Sequence, residues 1–234
     1  MSHVDVRPLT LDDLDWVAEL TRQRRERLAH HAPRFWRPAP DAVERHTAFL
    51  ARLVADPATV TLRTEHGYLV GVERTGRLVV DDMVVDPAEH WASEGVALLE
   101  RARAAAPLRL VVPAHESERL DAALDLGLEP AEVWWHRDLE PPTGLNVVSE
   151  DPTITVAGAV AQLVPAPPVY DPGGPVLLVT SVGSADALTR VQQSAARRGA
   201  TVAVVSQDPA DTATAALLTD GGFVVTTYFF TPPG

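Results

Sequence analysis

Cysteine and lysine are both missing from the 234 residues of this chain. Without cysteine there can be no disulfide framework and no thiolate-ligated metal centre, so core burial and polar contacts must hold the fold. All 20 basic residues are Arg, and Asn and Ile occur once each, as Asn146 and Ile154. That usage reads as the coding bias of a GC-rich bacterial genome and carries no functional message. No apolar run approaches the roughly 20 residues of a membrane span, and the basic-then-apolar layout of a secretion signal is absent. A cytoplasmic protein with no membrane partner is expected. Positive charge is also scarce: the net charge is −12, and Arg22, Arg24, Arg25 and Arg27 form the only basic run. No nucleic-acid partner is expected.

What the chain does have is apolar residues, at 46%, enough for one large or two small cores. Charge is spread unevenly. Residues 151–234 hold six Asp, three Arg and no Glu, against 26 acidic and 17 basic residues before them. This asymmetry predicts two structural units, 1–140 and 141–234, joined near Glu140-Pro141-Pro142-Thr143-Gly144.

Apolar spacing and turn residues predict a strand at 4–8 and a helix at 11–29 with a capping-box start at Thr10 to Asp13. After a proline-punctuated loop, a second helix runs from Asp41 to about Val54. Strands follow at 59–64, 68–74 and 77–85, then a loop, a helix at 94–105, a strand at 108–112, a helix at 118–126 closed by Gly127, and a strand at 132–139. Beyond the linker the same order returns without its opening strand and helices. Strands are expected at 154–156, 160–164, 175–182, 201–206 and 224–231, and helices at 185–198 and 211–219.

The residues of the first stretch carry a resemblance. Arg7-Pro8-Leu9-Thr10-Leu11-Asp12-Asp13, the strand end Asp81-Asp82-Met83-Val84-Val85-Asp86-Pro87 and the helix end at Gly127-Leu128 stand in the order found in GNAT N-acyltransferases. The chain therefore resembles a tandem GNAT protein with a truncated second copy. The implied fold is α+β (mixed α/β), a mostly antiparallel central sheet flanked by helices, followed by a partial second repeat. The implied activity is transfer of an acetyl group from acetyl-CoA to a small-molecule or peptide amine. The alternative is a degenerate GNAT-fold protein that binds a ligand or serves a structural role. The second copy has no room for a phosphate loop after its strand at 175–182, and Leu218 stands where a tyrosine acid would be. A structural pseudo-dimer within one chain is the expectation, possible as a monomer.

In that family acetyl-CoA lies in a V-shaped opening between the two central strands, with its pyrophosphate on a loop patterned Gln/Arg-x-x-Gly-x-Gly/Ala. By position the cofactor-binding residues are Val84, Val85, His90, Trp91, Ala92, Ser93 and Gly95. Of the three signature positions Gly95 alone is retained, while Ser93 and His90 are replacements. Glu94 would repel a pyrophosphate by about 3 kcal/mol at ~5 Å before screening. The family's tyrosine acid falls on Ala123, and Tyr68 reads as an alternative acid or a strand residue.

A base must take the proton of the attacking amine. Asp81 is the first choice, since strand alternation puts Asp81 and Asp82 on opposite faces. The other reading pairs Asp81 with an Arg and turns Asp82 outward. His115, after the next strand, is a second catalytic candidate or a loop-edge residue. No metal site is expected: His30 and His31 are adjacent, not at helical ligand spacing. Phe35 and Trp36 line an acceptor loop or anchor two helices, and Trp134 and Trp135 put one ring on each face of a strand.

Overall fold

In the computed structural model, residues 4–32, 34–140 and 151–234 are described. In chain order the elements are β1 (Arg7–Pro8), α1 (Leu14–Ala29), α2 (Ala42–Ala55), β2 (Thr59–Arg63), β3 (Gly67–Arg74) and β4 (Arg77–Val85), then α3 (Val96–Arg103), β5 (Leu108–Pro113), α4 (Ser117–Asp125) and β6 (Glu129–Asp138). The rest are β7 (Thr153–Val156), β8 (Ala159–Val164), β9 (Val176–Ser181), α5 (Ala185–Arg197), β10 (Val202–Gln207), α6 (Thr212–Asp220) and β11 (Val224–Thr231). The linker expected at 140–144 lies, beyond Glu140, outside the described residues. No helix among the described residues is long and apolar enough to cross a membrane.

The chain divides into two compact units that alternate along the sequence. Unit 1 holds Met1–Arg24, Val43–Ala131 and Thr227–Gly234, and unit 2 holds Arg25–Ala42 and Glu132–Thr226.

In unit 1 the strands lie in the order β1-β2-β3-β4-β5-β11. All neighbours are antiparallel except β4 and β5. One face buries Leu69, Val80, Met83, Leu110 and Phe230 under Leu98, Leu99 and Ala102 of α3 and Ala122 and Ala123 of α4. The other face buries Tyr68, Val70 and Val84 under Val17 and Leu20 of α1 and Leu50 of α2. Period-two strands between two periodic helix stripes account for both layers. The capping box forms as expected: Thr10 N–H donates to Asp13 Oδ2 at 2.9 Å and Asp13 N–H to the Thr10 carbonyl at 3.1 Å.

The centre of this sheet is opened. β4 and β5 pair only through Leu78, Val79 and Val80 against Leu108, Arg109 and Leu110. Immediately beyond, the β3 register shifts, so that Val70 faces Asp82 while Gly71 faces Val80, and Asp81 is the extra residue of a bulge. A bulge bends its strand and interrupts the ladder. β4 therefore leaves β5 at Asp81, one residue after their last pair.

In unit 2 the order is β6-β10-β9-β8-β7, with β9 and β10 the parallel pair. Ala187, Leu188, Val191 and Ala195 of α5 pack on Leu177, Val179 and Ala203. The helices begin on side-chain caps, Ser184 Oγ accepting from Ala187 N–H and Asp211 Oδ1 from Thr214 N–H, as expected of such residues. Phe35 and Trp36 are buried with Leu28, Val176, Val202 and Val204 and act as an anchor. Trp134 packs against that same cluster and Trp135 against the α5 side, so the two rings do take opposite faces.

The described elements lie close to those expected from the sequence, with two departures. β1 has two residues in place of five. Residues 88–93, expected as an open loop before a helix at 94, are wound: a 3-10 turn at Ala88–His90 runs into a π-turn at Trp91–Gly95 and on into α3.

Candidate functional site

Where β4 leaves β5, the β4 carbonyls are taken up by a side chain of the protein itself. Arg119, on the first turn of α4, is wholly buried. Its Nη1 donates to the Met83 carbonyl at 3.1 Å and to Glu116 Oε2 at 3.3 Å, and its Nη2 reaches the carbonyls of Asp81 and Val80 at 3.4 and 3.5 Å. Two of those carbonyls, of Asp81 and Met83, lie beyond the last β4–β5 pair at Val80. Arg24 of α1 grips Glu116 through two bonds, the second at 3.1 Å. Burial and the nearby Arg24 lower the Arg119 pKa to about 10 against the pull of Glu116 and Asp81, which leaves it charged at neutral pH. Burial raises Glu116, but Arg24 and Arg119 outweigh it and hold the carboxylate below its ordinary value.

A second polar chain runs beside it. Tyr68 Oη donates to Asp82 Oδ1 at 2.6 Å, His46 Nε2 lies 2.6 Å from Asp82 Oδ2, and Thr21 Oγ1 lies 2.6 Å from the Tyr68 hydroxyl. Burial would raise the Asp82 pKa. The charge and hydrogen bond of His46, the Tyr68 bond and Arg24 overturn that and hold it at about 2. Burial, followed by the Asp82 charge, pushes the Tyr68 hydroxyl well above 10. Asp82 therefore turns inward, not outward. Asp81, the bulge residue, is exposed to solvent and makes no direct side-chain hydrogen bond or ion pair among the described residues. The protein mass around it nonetheless raises its carboxyl pKa, with Arg24 opposing.

The wound turn at 88–95 forms the other half of the site. His90 and Trp91 N–H groups bond to the carbonyls of Pro87 and Ala88, and Val96 N–H to those of Ser93 and Trp91. The turn thus uses these donors on its own carbonyls, where an open helix start would direct them at an anion. Glu94 is buried and accepts from His66 N–H at 2.8 Å, with His66 Nδ1 at 2.7 Å and His90 Nδ1 at 3.4 Å. Burial raises the Glu94 pKa, and the bonds from Thr64 and His66 more than offset it. Trp91 is buried, and its ring lies so close to Gly95 that a Cβ there would meet Cε3 at 2.4 Å. Gly95→Ala is expected to lower stability by about 1–3 kcal/mol through overpacking, read as a drop in urea midpoint at unchanged slope; an unchanged midpoint would show that the indole moves freely.

The structure thus gathers His90, Trp91, Ala92, Ser93 and Gly95 into one turn. Ala92 and Ser93 are exposed and line an open groove with Arg7, Arg63 and Glu65. Val84 and Val85 are core residues on opposite faces of β4. His115 is exposed in the turn between β5 and α4. The sequence reading did not single out Arg119, Glu116, His46 or His66 for this region. Arg119 had a local signal, a charge on the helical stripe of Ala122 and Ala123.

No sequence-family model matches the chain, and no curated protein does. Solved structures match over the whole chain. A GCN5-related N-acetyltransferase from Sphaerobacter thermophilus aligns with a TM-score of 0.61 and 14% identity over 99% of this chain and 96% of that one. A candidate acetyltransferase from Thermoplasma acidophilum gives 0.56 and 13% over 97% and 98%. Another from Pyrococcus horikoshii gives 0.50 and 12% over 99% and 89%. The chain therefore has the mixed α/β fold of the GNAT N-acetyltransferases.

Proposed function

We propose that this protein is a non-catalytic binding protein on the GNAT fold, in which the acetyl-CoA opening of unit 1 is closed and the exposed Asp81 carboxylate meets a small cationic amine. The observation that carries this reading is Arg119 seated where β4 leaves β5. For acetyl-CoA to enter, the guanidinium must leave Glu116 and three backbone carbonyls. Breaking a buried charged pair costs about 3–5 kcal/mol, which weakens binding roughly a hundred- to several thousand-fold. The wound turn adds to this, since the N–H groups of His90, Trp91 and Val96 are already bonded to its own carbonyls.

A second reading keeps acetyl transfer from acetyl-CoA to a small-molecule or peptide amine. The chain Thr21–Tyr68–Asp82–His46 favours it, because a continuous buried hydrogen-bonded run can relay a proton. Asp81 would then act as base, with His115 the second catalytic candidate, and the turn of His90 to Gly95 would have to unwind for the cofactor. The recurrence of the β2-to-β6 element order in β7 to β11 supports a duplication with a reduced second copy, the sequence copies 1–140 and 141–234 forming a pseudo-dimer whose compact units each draw segments from both copies.

Calorimetric titration separates the two. With acetyl-CoA up to about 1 mM the wild type is expected to show no saturable heat, while Arg119→Ala, which empties the opening, gains binding; Arg119→Met, which keeps it filled, does not. Micromolar binding by the wild type, with release of free CoA on adding a primary amine, would establish acetyl transfer and overturn the first reading. Small primary amines are expected to bind the wild type and lose affinity in Asp81→Asn.

A further inference from the structure

His66 stands in the turn between β2 and β3, His90 ends the 3-10 turn, and Glu94 lies in the π-turn that follows. Two separate pieces of unit 1, the hairpin turn and the wound turn, thus bring two imidazoles and one carboxylate together, one donor atom of each within 4.8 Å of the others. We propose that His66, His90 and Glu94 form a binding site for one divalent transition-metal ion of the zinc type.

The donor chemistry fits. Two neutral imidazole nitrogens and one carboxylate oxygen make the set that zinc accepts as three protein ligands with a fourth position open to water. Calcium and magnesium prefer oxygen donors throughout and are disfavoured by the two nitrogens. The carboxylate is held in place from behind. His66 N–H donates to Glu94 Oε2 at 2.8 Å, which leaves Oε1 turned toward both rings. Such an outer-shell bond fixes a ligand before the ion arrives. The surroundings favour a cation, since Glu65 and Glu89 also act on His66. Access is open, because Glu65, Ser93 and Glu94 line the groove of unit 1.

The two imidazoles are stacked, 3.8 Å between centroids and 7° from parallel. Lone pairs lie in the ring planes, so parallel rings do not converge on one ion. Binding therefore turns at least one ring about its side-chain bonds. Both side chains are about 30% exposed, at 32% for His66 and 30% for His90, and have room to turn. Glu94, at 10%, stays fixed. The chain has no cysteine, so no thiolate competes for the ion.

The test uses the full chain, freed of metal by chelator dialysis and titrated with Zn²⁺ by calorimetry, and with Co²⁺ by visible absorption. One equivalent is expected to bind with a dissociation constant of about 10 µM or tighter, and Co²⁺ is expected to show the intense bands of four-coordinate geometry. His66→Ala and His90→Ala, both at part-exposed positions, are each expected to weaken binding about tenfold or more; Glu94→Gln should do the same if it folds. No saturable Zn²⁺ binding below about 100 µM would overturn the site. So would undiminished binding in the His66→Ala/His90→Ala double variant, which would place the ion on other histidines such as His30 and His31. None of these outcomes depends on whether acetyl-CoA or an amine binds.

Discussion

Between about pH 6.5 and pH 3 the protein is expected to lose about 5 kcal/mol of stability through one residue, His136 of β6. Its ring is 3% exposed and packs on Phe35 with centroids 4.0 Å apart. Nδ1 meets Thr226 Oγ1 at 3.0 Å, and Nε2 has no hydrogen-bond partner among the described residues. Burial lowers its pKa from 6.5 to about 3. The folded state therefore keeps the ring neutral where the unfolded chain already binds a proton. The contribution is complete above pH 6.5, is lost as pH falls toward 3, and is flat below that. At about 1.4 kcal/mol per unit, this shift gives the stated loss. Unfolding free energies from urea titrations at pH 7.5, 6, 5 and 4 would read it directly. His136→Leu should cost about 1 kcal/mol at pH 7.5 through the hydrogen bond with Thr226 and should remove most of the slope below it. An equal slope in wild type and variant would show that other groups drive the acid sensitivity.

Asp82→Ala is expected to be the most damaging single change in unit 1, at about 3–5 kcal/mol, because it strips a buried carboxylate from both His46 and Tyr68 at once. Tyr68→Phe should cost less, about 1–2 kcal/mol, since Asp82 keeps His46. The acid limb differs from that of His136. Asp82 titrates at about 2 in the folded state against an ordinary 3.8, so its share, about 2–3 kcal/mol, is present above pH 4 and is lost as pH falls toward 2. Two acid-sensitive steps are thus expected, overlapping only between about pH 4 and 3. An Asp82→Ala variant within 1 kcal/mol of wild type at pH 7 would mean that the network is replaced by water at little cost.

The element pattern was legible because it is local. Alternation across 77–85 marked β4 to the residue, and the aromatic and β-branched run at 224–231 marked β11 equally well. Alternation also placed Asp81 and Asp82 on opposite faces, but it could not say which would be captured. That choice depends on His46, 36 residues away on α2, and on the bulge that lets Asp81 out of the ladder. The turn at 88–95 was hidden for a similar reason. Ser93 and Gly95 read as small residues for an anion, whereas Gly95 is small because Trp91 lies against it. Two of the three members of the His66–His90–Glu94 cluster are a helical i,i+4 pair visible in the sequence; the third arrives from a hairpin turn 24 residues earlier, and no local period reports it.

The pairing of β11 with β5 sets Tyr228 against Val112 and Phe230 against Leu110, and Phe230 lies in the same core as Leu98 and Leu99. On the ribosome, synthesis and completion therefore run in opposite senses. The segment that begins unit 1 is made early, yet its sheet keeps a bare edge at β5 until residues 227–231 emerge. Nearly the whole of unit 2 is translated while that edge is open. An unpaired strand edge invites wrong partners, so a cut before Thr227 is expected to leave unit 1 with the β5 edge open.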